Sequence, residues 1–412
     1  MRRADVSRKL AWQAAALVVV VGTVAALFLT RANRPDFSDF NVYWVAGGKA
    51  AEHRTVYDVQ GHYQYKYSPF VALMWSLPVT LLPGTKYQWA WLHYALSGIG
   101  WYALWFLLAR SLDPRRAFGL WLTLLAVFSV GVRDELKLGQ ANLWPYVLVL
   151  PAWFARSRSS GQRGFDAGGF AIGVAWGLAI QWKLYALVLA PLWLLRRRAQ
   201  VWIGALSVTL LTLLVVLSLA HGWQFAVDEN ARWLQSLTSS SEQLLISKYN
   251  VSALGIIGKW TAHSGDSPAS WAYVVWGALA LGWGAALVWA EREAAVRAEP
   301  YLVFWSASWA WAAVVVLNPL VWPYWLLFCA PLFLAYVTEA TAAGLRAAGL
   351  RFWLVCALFA GMSWAQNYAV VHRGGSLVAV LALMVDAYVR ARARDSARLA
   401  KLSEMRLALR ST

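Results

Sequence analysis

Charge is scarce in this chain. Only 14% of its 412 residues are Asp, Glu, Lys or Arg, against roughly 25% in ordinary globular proteins, and a soluble fold of this length has a large surface that needs those charges. Cysteine is scarcer still. Two cysteines exclude a disulfide scaffold and every multi-cysteine metal site. The six histidines include no HExxH or comparable pair, so a metalloenzyme has no visible ligand set. Acidic residues number 20 against 37 Lys and Arg, giving a formal net charge of +17. A basic patch on a polar chain would point to nucleic acid. Here the positives punctuate apolar runs, as membrane-protein loops do, and no nucleic-acid partner is expected. Apolar residues are what the chain has, 60% of the total, with 28 tryptophans. It reads as an all-α polytopic membrane protein whose surroundings are membrane lipids.

A span needs roughly 20 mainly apolar residues. The first runs from Ala11 to Thr30, and Arg2, Arg3, Arg8 and Lys9 before it predict a cytoplasmic N-terminus. It is too long for a cleaved signal peptide and lacks that exit motif, so it reads as a retained anchor. Pro69 to Leu82 is short and interrupted by Pro78, which suits a juxtamembrane helix inside the first outer loop. Further spans follow at Gln88 to Ala109, Ala117 to Val132 and Leu143 to Ala155. Gly168 to Leu195 begins and ends at basic loops, so it must be a hairpin of two short helices turning near Gln181, Trp182 and Lys183. The remaining spans are Val201 to Ala220, Trp271 to Ala290, Tyr301 to Leu317, Trp322 to Val337, Phe352 to Gln366 and Leu377 to Val389.

This gives twelve spans with both termini inside, organised as one transmembrane domain over residues 1–389 and a basic cytoplasmic tail over 390–412. The positive-inside rule supports it, since about two thirds of the 37 Lys and Arg fall on the cytoplasmic side. Two large polar segments, 31–86 and 221–270, then lie outside, which places the working face there. Arginine-, alanine- and tryptophan-rich usage suits a bacterial plasma membrane.

Polar residues in that outer region stand out. Asp39 lies just beyond the first span; it is either the N-cap of a helix from Val42 to Glu52 or a general base at the membrane surface. Lys183 sits at the tip of an apolar hairpin, where it either snorkels to headgroups or meets an anion such as phosphate. Gln140 and Asn142 at the head of a span, and Asn250 and Ser252 before an apolar stretch, serve equally as helix caps. Asp39, Lys66, Gln140, Lys183, Asn250 and Trp322 all fall at outer helix ends and would converge on one extracytoplasmic cavity.

At these positions the chain resembles glycosyltransferase family 87, the polyprenol-phosphate-mannose-dependent mannosyltransferases of the GT-C superfold. Six elements occur in family order: Asp39 followed by Val42-Tyr43; Tyr65-Lys66-Tyr67-Ser68-Pro69; Gly139-Gln140-Ala141-Asn142; Lys183 after the Gly-containing half-helix from Gly177; Asn250-Val251-Ser252; and the turn from Pro319 to Trp322. The family often has a His just after that turn, where Pro323, Tyr324 and Trp325 stand here, and Ala186 replaces a common Pro.

The resemblance implies a GT-C-type bundle that carries out inverting transfer of a hexose, mannose being expected. The sugar would pass from a polyprenyl-phosphate-sugar donor to a lipid or glycan acceptor, with neither cofactor nor metal. It implies Asp39 as the general base and Lys183, with Lys66 and Lys248, at the donor phosphate. Tyr43, Tyr67, Gln140, Asn142, Asn250, Ser252, Trp322 and Tyr324 would bind substrate. Two other readings stand beside it. A lipid-linked sugar flippase would need internal repeats and several midplane charges, and neither is visible. A catalytically inactive GT-C scaffold subunit is opposed by the intact Asp39 and Lys183.

Overall fold

The computed structural model describes residues 35–58, 65–155, 165–239, 249–261, 268–297, 299–342, 348–366 and 371–390, with isolated residues between and beyond them. The expected first span and the basic tail fall almost wholly outside the described residues, as does Lys248. Among the described residues the chain is helical and contains no strand.

Two short helices come first, α1 over Ser38–Ala51 and α2 over Pro69–Thr80. Ser68 in extended conformation and Pro69 at the first helical position start α2, where proline's missing N–H costs nothing. Thr85 and Gln88 form a reciprocal capping box that opens α3, Lys86–Leu112. Then come α4, Ala117–Leu138, and α5, Leu143–Val149, which tightens into a 3-10 turn to Trp153. Helix α4 runs six residues past the expected end at Val132, a difference that matters for the site.

The hairpin expected in 168–195 is present. Helix α6, Ala167–Trp182, is capped by the Asp166 side chain on Gly169 N at 2.8 Å. It stops at Lys183, whose backbone is extended, and the chain resumes as a 3-10 segment, Leu184–Leu189, leading into α7, Ala190–Leu195. Helix α8, Ala199–His221, contains a π-helical stretch at Leu211–Val216. The rest are α9, Trp223–Ser239; α10, Ala253–Thr261; α11, Ser270–Arg297; α12, Pro300–Val316; α13, Pro323–Ala340; α14, Gly349–Trp364; and α15 over 376–390.

Five of these, α3, α4, α8, α11 and α13, are long and apolar enough to cross a membrane. Helix α12 forms the centre, with every residue from Leu302 to Val316 buried. Helices α6 and α8 touch through their backbones. A Cβ on Gly173 would stand 2.1 Å from Val201 O, and one on Gly204 2.2 Å from Phe170 O; small residues permit such contact between apolar helices.

At the end of α7 the first residue of the basic loop turns inward. Arg196 is 1% exposed. It pairs with buried Glu291 of α11 at 3.0 Å and donates to Val303 O and Ser306 Oγ of α12, both at 3.2 Å. Asp386 of α15 similarly gathers Tyr336 Oη at 2.6 Å, Arg390 Nε at 2.8 Å and Arg351.

Candidate active site

Asp39 is placed by the backbone beside it. The N–H groups of Asp36 and Phe37 both donate to Lys137 O, at the end of α4, at 3.1 Å each. Phe37 takes φ 52 to do so, a left-handed conformation that a bulky residue adopts only where surroundings enforce it. Phe37, not Asp39, is the N-cap residue, and Asp36 Oδ1 accepts from Ser38 N at 2.9 Å. Asp39 lies in the first turn, where a carboxylate also suits the helix dipole. Its Oδ2 accepts from Gln140 Nε2.

Gln140 follows Gly139, the left-handed residue (φ 72) that closes α4. A Cβ on Gly139 would stand 2.6 Å from the Phe40 Cβ, so only glycine lets α1 approach this closely. His93 Nε2–H donates to Gln140 O at 2.9 Å and fixes the loop from the other side.

The far oxygen of the Gln140 amide accepts from Lys183 Nζ at 3.1 Å. Lys183 reaches it because α6 ends there, and Ser68 N donates to Gln181 O at 3.1 Å, fastening the 65–68 segment to that end. The fastening brings the Tyr67 ring to 4.8 Å from the Lys183 ammonium, within cation–π range. Tyr67 and Tyr43 share a hydroxyl hydrogen bond of 2.7 Å. Burial pushes the Tyr43 hydroxyl well above its ordinary value, so it remains a neutral donor.

Asn142 precedes α5 but makes no side-chain capping bond. Its Nδ2 donates to Glu135 Oε2 at 3.3 Å, and its Oδ1 accepts from Tyr185 Oη at 3.2 Å. Glu135, fully buried in the extension of α4, also accepts from Trp101 Nε1 at 3.3 Å. Tyr324, buried at the start of α13, lies within electrostatic reach of Asp39, Glu135 and Tyr67. Asp39, Tyr43, Tyr67, Gln140, Asn142, Lys183 and Tyr324 are thus neighbours.

The remaining expected residues have other partners. Lys66 is half-buried, its ammonium shifted down by burial, and its carbonyl accepts from Trp233 Nε1 of α9 at 3.2 Å. Asn250 donates to Leu245 O and Pro319 O, at 2.9 and 2.8 Å, and accepts from Ser252 N and Val321 N. Ser252 Oγ donates to Pro319 O at 2.8 Å and accepts from Gly255 N at 2.9 Å, capping α10. Both clamp the turn that leads to Trp322 and Tyr324, and their polar atoms face main chain. Trp322, partly exposed, has its ring 6.4 Å from that of Tyr249.

Glu135, Tyr185 and Trp101 are absent from the sequence-based site. The run Arg133-Asp134-Glu135-Leu136-Lys137 looks like a solvated loop, which hides Glu135. Its spacing to Asn142, seven residues and hence two helical turns, is a signal of shared face that Gly139 then interrupts.

The sequence model of glycosyltransferase family 87 matches residues 65–300, a stretch that holds Tyr67, Glu135, Gln140, Asn142 and Lys183. No curated protein and no solved structure gives a match.

Proposed function

The chain belongs to glycosyltransferase family 87 and is a membrane glycosyltransferase, and from that premise we propose that it moves a hexose, mannose in the first instance, from a polyprenyl-phosphate-sugar to a lipid or glycan acceptor. The acceptor hydroxyl attacks the anomeric carbon and Asp39 takes its proton. The new oxygen–carbon bond forms as the bond to phosphate oxygen breaks, and polyprenyl phosphate leaves with the electron pair. Inversion follows from a single displacement.

One observation carries this reading: Asp39 and Lys183 are held by opposite ends of a single amide, that of Gln140. A carboxylate and an ammonium so held can deprotonate a nucleophile on one side and stabilise an anionic leaving group on the other. Preorganised charge of this kind acts most strongly on charge that develops in the transition state. Tyr67, packed under Lys183, keeps the ammonium directed, and Tyr43 directs Tyr67. Tyr324 lies within electrostatic reach of Asp39, and Asn250 and Ser252 hold the turn before it. The site faces the extracytoplasmic side of a bacterial plasma membrane, on the twelve-span path with cytoplasmic termini that the positive charges support.

The test is transfer in proteoliposomes supplied with radiolabelled polyprenyl-phosphate-mannose, a membrane-lipid acceptor extract and EDTA. Wild type moves label to a new lipid, and Asp39→Asn loses about 10²–10⁴-fold, the usual contribution of a general base. If wild type moves no label from this donor or from other lipid-linked sugars, the reading fails and transport takes its place.

A further inference from the structure

His53 and His221, 168 residues apart in the chain, meet where two helices end. His53 lies just past α1, and His221 is the last residue of α8. Their Nδ1 atoms are 2.9 Å apart, and the rings stand edge to face at 83°. The approach is held from both sides. His53 takes φ 54, a left-handed backbone that a residue other than glycine adopts where its surroundings enforce it, and its N–H donates to Ala50 O at 3.1 Å. Three residues on, Val56 N donates to Oε2 of buried Glu229 at 3.1 Å. That bond ties the segment to α9, the helix that begins two residues after His221. His221 keeps its Nε2 buried and its ring 4.9 Å from that of Phe225, so Nδ1 is the nitrogen it presents. His53 is exposed to solvent, and Glu52 beside it is engaged by Arg54 at 2.9 Å.

Two imidazole nitrogens at this distance can share a proton or a metal ion. Imidazole nitrogen binds a first-row ion at about 2.0–2.1 Å, so two such ligands 2.9 Å apart subtend about 90° at the ion. That is the cis angle of a tetragonal Cu2+ or Ni2+ site, whereas tetrahedral zinc, at about 109°, needs its nitrogens about 3.3–3.4 Å apart. Cu2+ heads the affinity order for nitrogen ligands. The ligand form is neutral imidazole. When His53 donates the hydrogen bond, His221 already carries its proton on Nε2, and binding asks only that the exposed His53 ring move its own proton to Nε2. Among the described residues no group of three His, Cys, Asp or Glu is placed to hold a metal, so water completes the coordination. We propose that His53 and His221 form a surface site for one Cu2+ ion. Bound copper joins the tail of α1, the helix that carries Asp39, to the end of α8, which packs main chain to main chain on α6.

The test is titration of the full chain, in detergent and free of any affinity tag, with Cu2+, followed by electron paramagnetic resonance. One equivalent gives wild type a tetragonal spectrum split by two nitrogens. His53→Asn, which keeps a side chain that tolerates a left-handed backbone, loses the two-nitrogen species, and so does His221→Ala. Each weakens copper about 10²-fold, the lower end of what a second tethered ligand adds. A wild type that binds no copper, or whose spectrum shows a single nitrogen, overturns the proposal. So does a two-nitrogen spectrum that survives with wild-type affinity in either variant. If His221→Ala does not fold, His53→Asn, at the exposed ring, decides alone. None of these readouts involves sugar transfer, so failure of the glycosyltransferase reading in proteoliposomes leaves the copper site standing, and failure here leaves that reading standing.

Discussion

Gly139→Ala should cost far more activity than the size of a methyl group suggests. The residue has φ 72, and a Cβ there would meet the Phe40 Cβ at 2.6 Å. An L-residue in that conformation costs roughly 1–2 kcal/mol, and overpacking adds about 1–3 kcal/mol. Carbon atoms settle at about 3.5–4.0 Å, so Phe40 must retreat by about 1 Å. Asp39 precedes Phe40 in the same turn and would move with it. Misplacement of a reacting group by about 1 Å reduces rate by about 10²-fold. Steady-state transfer by purified protein in liposomes, with thermal unfolding of the same preparation, measures both effects. Gly48→Ala is the comparison, since a Cβ there meets nothing within 4 Å. It should gain up to about 1 kcal/mol from helix propensity and keep its rate. Wild-type transfer by Gly139→Ala would refute the argument that the close approach of α1 to the end of α4 sets the position of Asp39.

Three further outcomes follow from the structure. Gln140→Glu should lower kcat/KM more than Gln140→Ala does, because it sets a second carboxylate against Asp39 where an amide donor stood; an amide that merely bound sugar would give the reverse order. Glu291→Gln leaves Arg196 without its buried partner and should lower stability by about 3–5 kcal/mol in denaturant titration, with the transfer rate per folded molecule unchanged. Burial lowers the Lys259 ammonium to about 8 from its ordinary 10.5. The unfolded chain therefore binds the extra proton between those values, and this residue makes stability rise with pH across that window, its penalty being complete below it. Lys259→Met should flatten that part of the pH dependence of the thermal midpoint.

Much of the architecture was legible because it depends on apolar length and on interruption. The break at Lys183 is an example: an apolar run bounded by basic loops on both sides has to turn, and the turn falls at its polar tip. The cap at Ser252 was legible too, since local side-chain chemistry decides it. Phe37 was not. A bulky residue at positive φ contradicts local preference, and only the two hydrogen bonds to Lys137 O explain it. Glu135 was hidden for a related reason. Within a run of charges nothing local separates the side chain that faces solvent from the one that turns inward. The partners that decide it, Trp101 and Asn142, lie on other elements. Reading Gln140 and Asn142 as caps fails likewise, because their side chains bond across the fold to Asp39, Lys183, Glu135 and Tyr185.

Where Gly173 meets Val201 and Gly204 meets Phe170, two helices join main chain to main chain, with no cushion of side chains to compress. Such a pair yields to lateral pressure as one strut, and Lys183 is at its tip. Asp39 hangs from a different beam, the end of α4. The two charges of the site therefore ride on separate mechanical frames. Bilayer thickness tilts helices, and tilt of one frame against the other changes the span that Gln140 must bridge. On the mechanism proposed for Asp39 and Lys183, membrane composition would then enter the rate through a distance, with no lipid needing to bind at the site.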